Sequence, residues 1–213
     1  MKRSILNSYV KQWSTVPPVE VVDLSAETVL IIGAIVGIGF EVSKHFACMQ
    51  PARLIITCLS ESKGKAAVAE IEQETGYNGC ELWIIDLADF ASVVAFADKF
   101  EKEVGDLHIL VMNAGVLQPT FQLTTDGWES MLQVNHLATS LLSLLLIPQL
   151  VATGRKSSRP SRMVIVSSDV YYWVNPTEEV KASMKPLETL SSKEWSTSKG
   201  MQIQYFELNC KYL

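Results

Sequence analysis

The chain has 213 residues, 48% of them hydrophobic and 19% charged, which excludes a disordered or low-complexity chain and suits one α/β domain with a sizeable core. A net charge of −5 and a pI near 5.3, with no Lys/Arg stripe interleaved with aromatics, argue against nucleic acid as a partner and leave small molecules as the expected ligands. Cys48, Cys58, Cys80 and Cys210 form no C-x-x-C pair, so buried thiols in a reducing cytoplasm are expected and a metal centre is not.

Residues 1–26 read as an N-terminal extension without the continuous apolar stretch of a secretory signal, and Pro17-Pro18 marks an extended connector. The absence of an acid before Glu20 leaves a mitochondrial presequence as the other reading of this stretch. Residues 27–213 form the expected domain. It opens with Val29–Ile32, four aliphatics that predict a strand buried on both faces, followed by Gly33-x3-Gly37-x-Gly39 at a helix start. Glycines suit such a turn because it needs unusual φ/ψ, and because a missing Cβ lets backbone N–H groups approach a phosphate at the helix N-terminus. A dinucleotide is therefore the candidate ligand. The spacing is not the commoner G-x-G-x-x-G, and a glycine-rich turn in some other α/β protein stays open at this point.

Further along, a helix is predicted from Phe40 to Met49, stopped by Pro51, then a strand over Arg53–Cys58 and a helix over Lys63–Thr75 with Gly76 at its end. A third strand, Glu81–Ile85, runs into Asp86. Phe90, Val93, Val94, Ala97, Phe100 and Val104 recur at helical spacing and Gly105 closes that helix. A fourth strand, His108–Met112, ends in Asn113-Ala114-Gly115. Asp126 with Glu129 resembles a capping box that starts a long helix from Gly127 to Leu150. Its apolar stretch, Leu137 to Val151, is shorter than the ~20 residues of a membrane span and is broken by Ser143 and Pro148, so a buried helix is expected. After the basic, Ser-rich loop Arg155–Arg162, a fifth strand, Met163–Val166, ends in Ser167-Ser168. Strands alternating with helices imply right-handed crossovers and a doubly wound parallel sheet, whose ligands bind at the carboxyl ends of the strands. Gly33, Asp86, Asn113 and Ser168 all stand at such ends.

On Gly33-Ala34-Ile35-Val36-Gly37-Ile38-Gly39, Asp86-Leu87, Asn113-Ala114-Gly115, Val134-Asn135-His136-Leu137 and Ile165-Val166-Ser167-Ser168, the chain resembles the short-chain dehydrogenase/reductase family. Within it the likeness is to the retinol-dehydrogenase-like members common in fungi, from about Lys11 to Phe206. The resemblance implies a Rossmann-type sheet of order 3-2-1-4-5 and an oxidoreductase that moves hydride between a nicotinamide cofactor and a carbonyl or alcohol. It also implies a possible homodimer through the long helix. Gly33, Gly37 and Gly39 would cradle the pyrophosphate and Ile38 would pack under the cofactor. Asp86 would meet the adenine, although a helix N-cap before Phe90 is the other reading. Asn113 would sit at the nicotinamide-side ribose, and Asn135 would support a proton-relay water unless it is an asparagine satisfied within the core. An NAD site usually carries an acid after the second strand; here Thr57-Cys58-Leu59-Ser60 has none, which leans towards NADP with NAD still open. Lys63 would meet the extra phosphate, or else lie on a solvated helix face.

The family's chemistry needs a serine, a tyrosine and a lysine four residues after the tyrosine. Ser168 takes the first role, with Ser167 as runner-up. Trp195 to Lys199 retains the lysine, but an indole cannot act as the acid; Tyr205 retains the tyrosine and is preferred, with Asn209 where the lysine would stand. Lys211 falls on another side of that helix. Without the cation the phenol keeps its ordinary value of about 10, and lost acid–base help costs roughly 10²- to 10⁴-fold. The resemblance further implies a sixth and usually a seventh strand beyond Leu213. Divergence after Phe206 is expected to reflect a frameshift, retained intron or altered splice, leaving the fifth strand as an aggregation-prone edge. The expected activity is an NADP-dependent oxidoreductase for a small lipophilic alcohol or ketone in fungal secondary metabolism, with impaired turnover. A catalytically impaired nucleotide-binding or interaction module, or a truncated product without function, is the alternative. A methyltransferase is disfavoured because it explains neither Asn113-Ala114-Gly115 nor Ser167-Ser168.

Overall fold

Five short aliphatic runs pair into one parallel sheet in a computed structural model that describes residues 13, 15–118, 120–157, 159–168 and 178–198. They are β1 (Thr28–Ile32), β2 (Arg53–Cys58), β3 (Cys80–Ile84), β4 (Ile109–Met112) and β5 (Arg162–Ile165), in the order β3-β2-β1-β4-β5. The register places Ile32 beside both Thr57 and Met112, Cys58 beside Ile84, and Met112 beside Ile165, so the carboxyl ends of the strands open on one edge.

The crossover helices are α1 (Gly37–Cys48), α2 (Glu61–Thr75), α3 (Phe90–Glu103) and α4 (Ser130–Lys156). Because successive side chains of a strand point to opposite faces, each strand feeds two cores. Leu30, Ile32 and Ile55 pack with Phe96 and Phe100 of α3 and Leu142 and Leu146 of α4, while Val29, Ile31, Leu54 and Ile56 pack with Ala47 of α1 and Ile71 of α2. Three short helices, α5 (Glu178–Ala182), α6 (Pro186–Leu190) and α7 (Lys193–Ser198), add a third cluster in which Val180, Leu190 and Trp195 cover Met131 and Leu132 at the start of α4.

Two sequence expectations need correction. Asp126 and Glu129 do not form one cap, and the long helix starts at Ser130, not Gly127. A turn closed by the Gly127 N–H on the Thr124 carbonyl, with Gly127 at φ 82°, reverses the chain first. Glu129 alone then caps α4, accepting the Leu132 N–H at 2.8 Å, whereas Asp126 accepts the Phe90 N–H at the start of α3 at 2.9 Å. The apolar helix is also longer than expected: α4 has 27 residues, long and apolar enough by length and composition to cross a membrane. It runs through Pro148, and Leu142, Leu146 and Leu150 are buried in the first core. Its second turn widens into a π-helical segment, Gln133–Leu137.

Candidate functional site

The link from β1 to α1 is a tight backbone crossing. Gly33 has φ +81°, and a Cβ there would lie 2.5 Å from the Ala114 Cα; one on Gly39 would meet the Gly33 carbonyl and the Asn113 amide. The Asn113 side chain donates to the Gly33 oxygen at 2.7 Å, and the Gly33 N–H donates to Thr57 Oγ1 at 3.2 Å. Gly33, Gly39, Asn113 and Thr57 thus lock the ends of β1, β2 and β4 together. Gly37 differs: its φ of +57° favours glycine, but a Cβ would point into open space. Val36 gives α1 no side-chain cap, so the first-turn N–H groups lack an intrahelical acceptor and face outward with the positive end of the helix dipole. This cradle fits a diphosphate.

Beside it lies a cleft of about 490 Å³, floored by the strand ends Ile32–Gly33, Thr57–Leu59, Ile85–Ala88 and Asn113–Val116, and walled on the far side by Ser130 and Val134 of α4. Of the residues expected from the sequence, Gly33, Asp86 and Asn113 line it together. Gly37, Ile38 and Gly39 follow on the first turn of α1, where Ile38 is 65% exposed. Lys63 is exposed on α2 and Ser168 is half-buried beyond β5, and neither reaches the lining. Asn135 lies in the π-helical segment with its amide paired to the loop after β4: Oδ1 accepts the Val116 N–H at 2.7 Å and Nδ2 donates to the Val116 carbonyl at 2.9 Å, which pins the cleft rim. Tyr205, Asn209, Lys199 and Lys211 lie outside the described residues.

The alternative reading of Asp86 as a helix cap is corrected. Its Oδ1 turns back to the Ala88 N–H at 2.8 Å, and Asp89 is the cap of α3, accepting the Ala91 N–H at 2.8 Å. Three cleft residues had no motif to mark them. Thr57 belongs to the sequence pattern only through the acid missing after it, and Gln118 and Ser130, joined through Ser130 Oγ and Gln118 Oε1 at 3.3 Å, sit outside the family motifs. Burial raises the thiol of Cys58 in the floor, keeping it protonated, and its Sγ donates to the Ser60 carbonyl. His136, in the same π-helical segment as Asn135, is buried with Nδ1 unpartnered, and burial lowers its pKa. No cluster of three or more His, Cys, Asp or Glu suited to a metal occurs among the described residues.

A parallel doubly wound sheet with an interlocked glycine turn and a cleft over its carboxyl edge defines a nucleotide-binding type of α/β protein. A short chain dehydrogenase profile matches residues 27–176, and the chain belongs to the short-chain dehydrogenase family. Among curated relatives, it is 39% identical over 180 residues to the short chain dehydrogenase sol3 of Alternaria solani, covering 84% of this chain and 62% of that one. It is 40% identical over 147 residues to retinol dehydrogenase 12 of Mus musculus, covering 69% of this chain and 45% of that one. The chain therefore spans less than two thirds of the length of these relatives. Among solved structures it is similar to a short-chain dehydrogenase from Sphingobium yanoikuyae in complex with NADPH, with 26% identity and a TM-score of 0.57 over 68% of this chain and 55% of that one.

Proposed function

We propose that this chain is an NADP-dependent short-chain oxidoreductase acting on a small lipophilic alcohol or ketone, with residues 1–26 as an extension to the catalytic domain. The observation that carries the reading is the interlock of Gly33, Gly39 and Asn113 beside the uncapped start of α1, at the mouth of the cleft. The bound nicotinamide cofactor would supply or accept the hydride. Gly37, Ile38 and Gly39 present backbone N–H groups to its pyrophosphate over the turn that Gly33 shapes, Asp86 receives the adenine, and Asn113 supports the nicotinamide-side ribose. Asn135 holds the rim through Val116 and supports the relay water. Ser168 hydrogen-bonds the substrate oxygen, and Tyr205 exchanges its proton.

The NADPH in the Sphingobium relative supports a phosphorylated cofactor, as does the lack of an acid after β2. Lys63, in the first turn of α2, is the candidate cation for the phosphate. Exposed Val116 and Leu117, at the cleft rim, favour a lipophilic substrate. The exposed stripe Leu144, Ile147 and Val151 on α4 suits a homodimer, and the free thiols of Cys48, Cys58 and Cys80 suit the cytoplasm. A role in fungal secondary metabolism follows from the resemblance alone. Titration with NADPH and NADH, read by quenching of the five tryptophans, tests the reading: tighter saturable binding of NADPH is the expected result, and no binding of either overturns it.

A second reading, a nucleotide-binding module without effective catalysis, is favoured by Asn209 standing four residues after Tyr205 where the family carries lysine. Turnover abolished by Tyr205→Phe supports the enzyme. NADPH binding without turnover supports the module.

A further inference from the structure

One oxygen atom accepts hydrogen bonds from both walls of the cleft. Asp126 stands exposed at the Thr124–Gly127 turn, outside the cleft lining, and its Oδ2 accepts two hydrogen bonds from separate elements. One comes from the Phe90 N–H at 2.9 Å and the other from Gln133 Nε2 at 2.6 Å. Phe90 opens α3 directly after the Asp86–Asp89 turn, whose Asp86, Leu87 and Ala88 line one wall. Gln133 is fully buried and opens the π-helical segment of α4, between Ser130 and Val134 of the other wall. It cannot drift, because Thr124 Oγ1 holds its Oε1 at 2.5 Å and its own N–H bonds the Glu129 carbonyl at 2.9 Å.

Neither helix needs Asp126 as its side-chain cap: Asp89 caps α3 and Glu129 caps α4. What Asp126 adds, beyond the apolar packing of the two helices, is a polar link between their first turns. A carboxylate suits this because it accepts two donors at once and is attracted to the positive N-terminus of α3. We infer that Asp126 is a positioning residue that fixes the spacing of the two cleft walls and thereby sets the affinity for a ligand touching both. The inference rests on reading the cleft as a nicotinamide dinucleotide site. A whole dinucleotide spans the walls, whereas its adenine half touches only the Asp86 side. A merely structural role would weaken both ligands alike; a spacing role weakens the spanning one selectively.

The test titrates the full chain and two variants, Asp126→Ala and Gln133→Met, with NADPH and with 2′,5′-ADP, alongside thermal melts. For Asp126→Ala the expected result is NADPH affinity lower by about tenfold, with 2′,5′-ADP changed by less than about twofold. Gln133→Met keeps the volume and leaves the Asp126–Phe90 bond intact while it cuts the bridge together with the Thr124 bond; the same split is expected at about threefold, and it decides the matter if the alanine variant does not fold. Equal losses for both ligands, or unchanged NADPH affinity in the variants, overturn the inference. If the unmodified chain binds neither ligand, the dinucleotide reading itself falls.

Discussion

β1 and β5 are both short parallel strands on either side of β4, yet one is sealed and the other open. Every residue of β1 is buried, because β2 and β4 flank it and helices cover both faces. In β5, which pairs only with β4 among the described residues, Met163 is 39% and Val164 48% exposed. The residue types are similar, so place in the sheet and not hydrophobicity decides burial. Stability and the glycine cradle both concentrate around β1, and substitutions should reveal that asymmetry.

The largest effect is expected from Gly33→Val, which forces a β-branched residue to φ +81° with its Cβ 2.5 Å from the Ala114 Cα. A loss of about 3 kcal/mol or more in urea unfolding is expected, together with loss of NADPH binding. Next, Leu30→Ala in β1 should cost about 2–5 kcal/mol, whereas Val164→Ala in β5 should cost less than about 1 kcal/mol. Equal shifts of the two urea midpoints would break the comparison.

A third effect depends on pH. Burial lowers the pKa of His136, so the folded chain holds it neutral while the unfolded chain takes up a proton near the ordinary value of about 6.5. The unfolded state then binds more protons, and stability present above that value is lost as the pH falls through it, with a slope of at most about 1.4 kcal/mol per pH unit. Urea midpoints between pH 7.5 and 5.5 should fall, and should flatten in His136→Leu. The smallest effect concerns the β2–β3 edge, where Arg53 grips Glu81 through two bonds of 2.7 Å with both side chains about one third exposed. Arg53→Ala should cost about 1 kcal/mol or less. The Arg53 hydrogen bond chiefly holds the Glu81 carboxyl below its usual range, so this contribution is present above about pH 4.3 and disappears on further acidification.

The strands were legible because a buried parallel strand is a run of aliphatics closed by a breaker, and Arg53–Cys58 appears in the structure with the bounds read from the sequence. The start of α1 was legible only to within a turn: the glycines mark a helix start, but glycine has poor helix propensity, so the predicted helix begins at Phe40 although Gly37–Gly39 form its first turn. Asp126 misled because a capping box is a local pattern, while its backbone partner Phe90 lies 36 residues away in sequence. In the cleft, Gly33, Asp86 and Asn113 could be located because strand ends are fixed by the sheet. Gln118 and Ser130 could not, since one sits on an irregular loop and the other just before the helical period breaks.

That broken period has a consequence for how α4 tolerates change. Each residue of an α-helix advances the angular phase by about 100°. The wide turn at Gln133–Leu137 therefore works as a keyed coupling between a short upstream half that faces the cleft and a long downstream half, Ala138–Lys156, that fills the core. Deleting a single residue from the coupling would leave both halves helical and every core side chain in the sequence. At the wide turn itself the loss lets the segment tighten to α spacing and leaves Ser130 nearly in phase, whereas losing one residue from the regular helix downstream rotates Ser130 by about a quarter turn or more relative to the core face. One-residue insertions and deletions along α4 therefore differ in effect with their place relative to the wide turn, a distinction that a scan of amino-acid substitutions would not reveal.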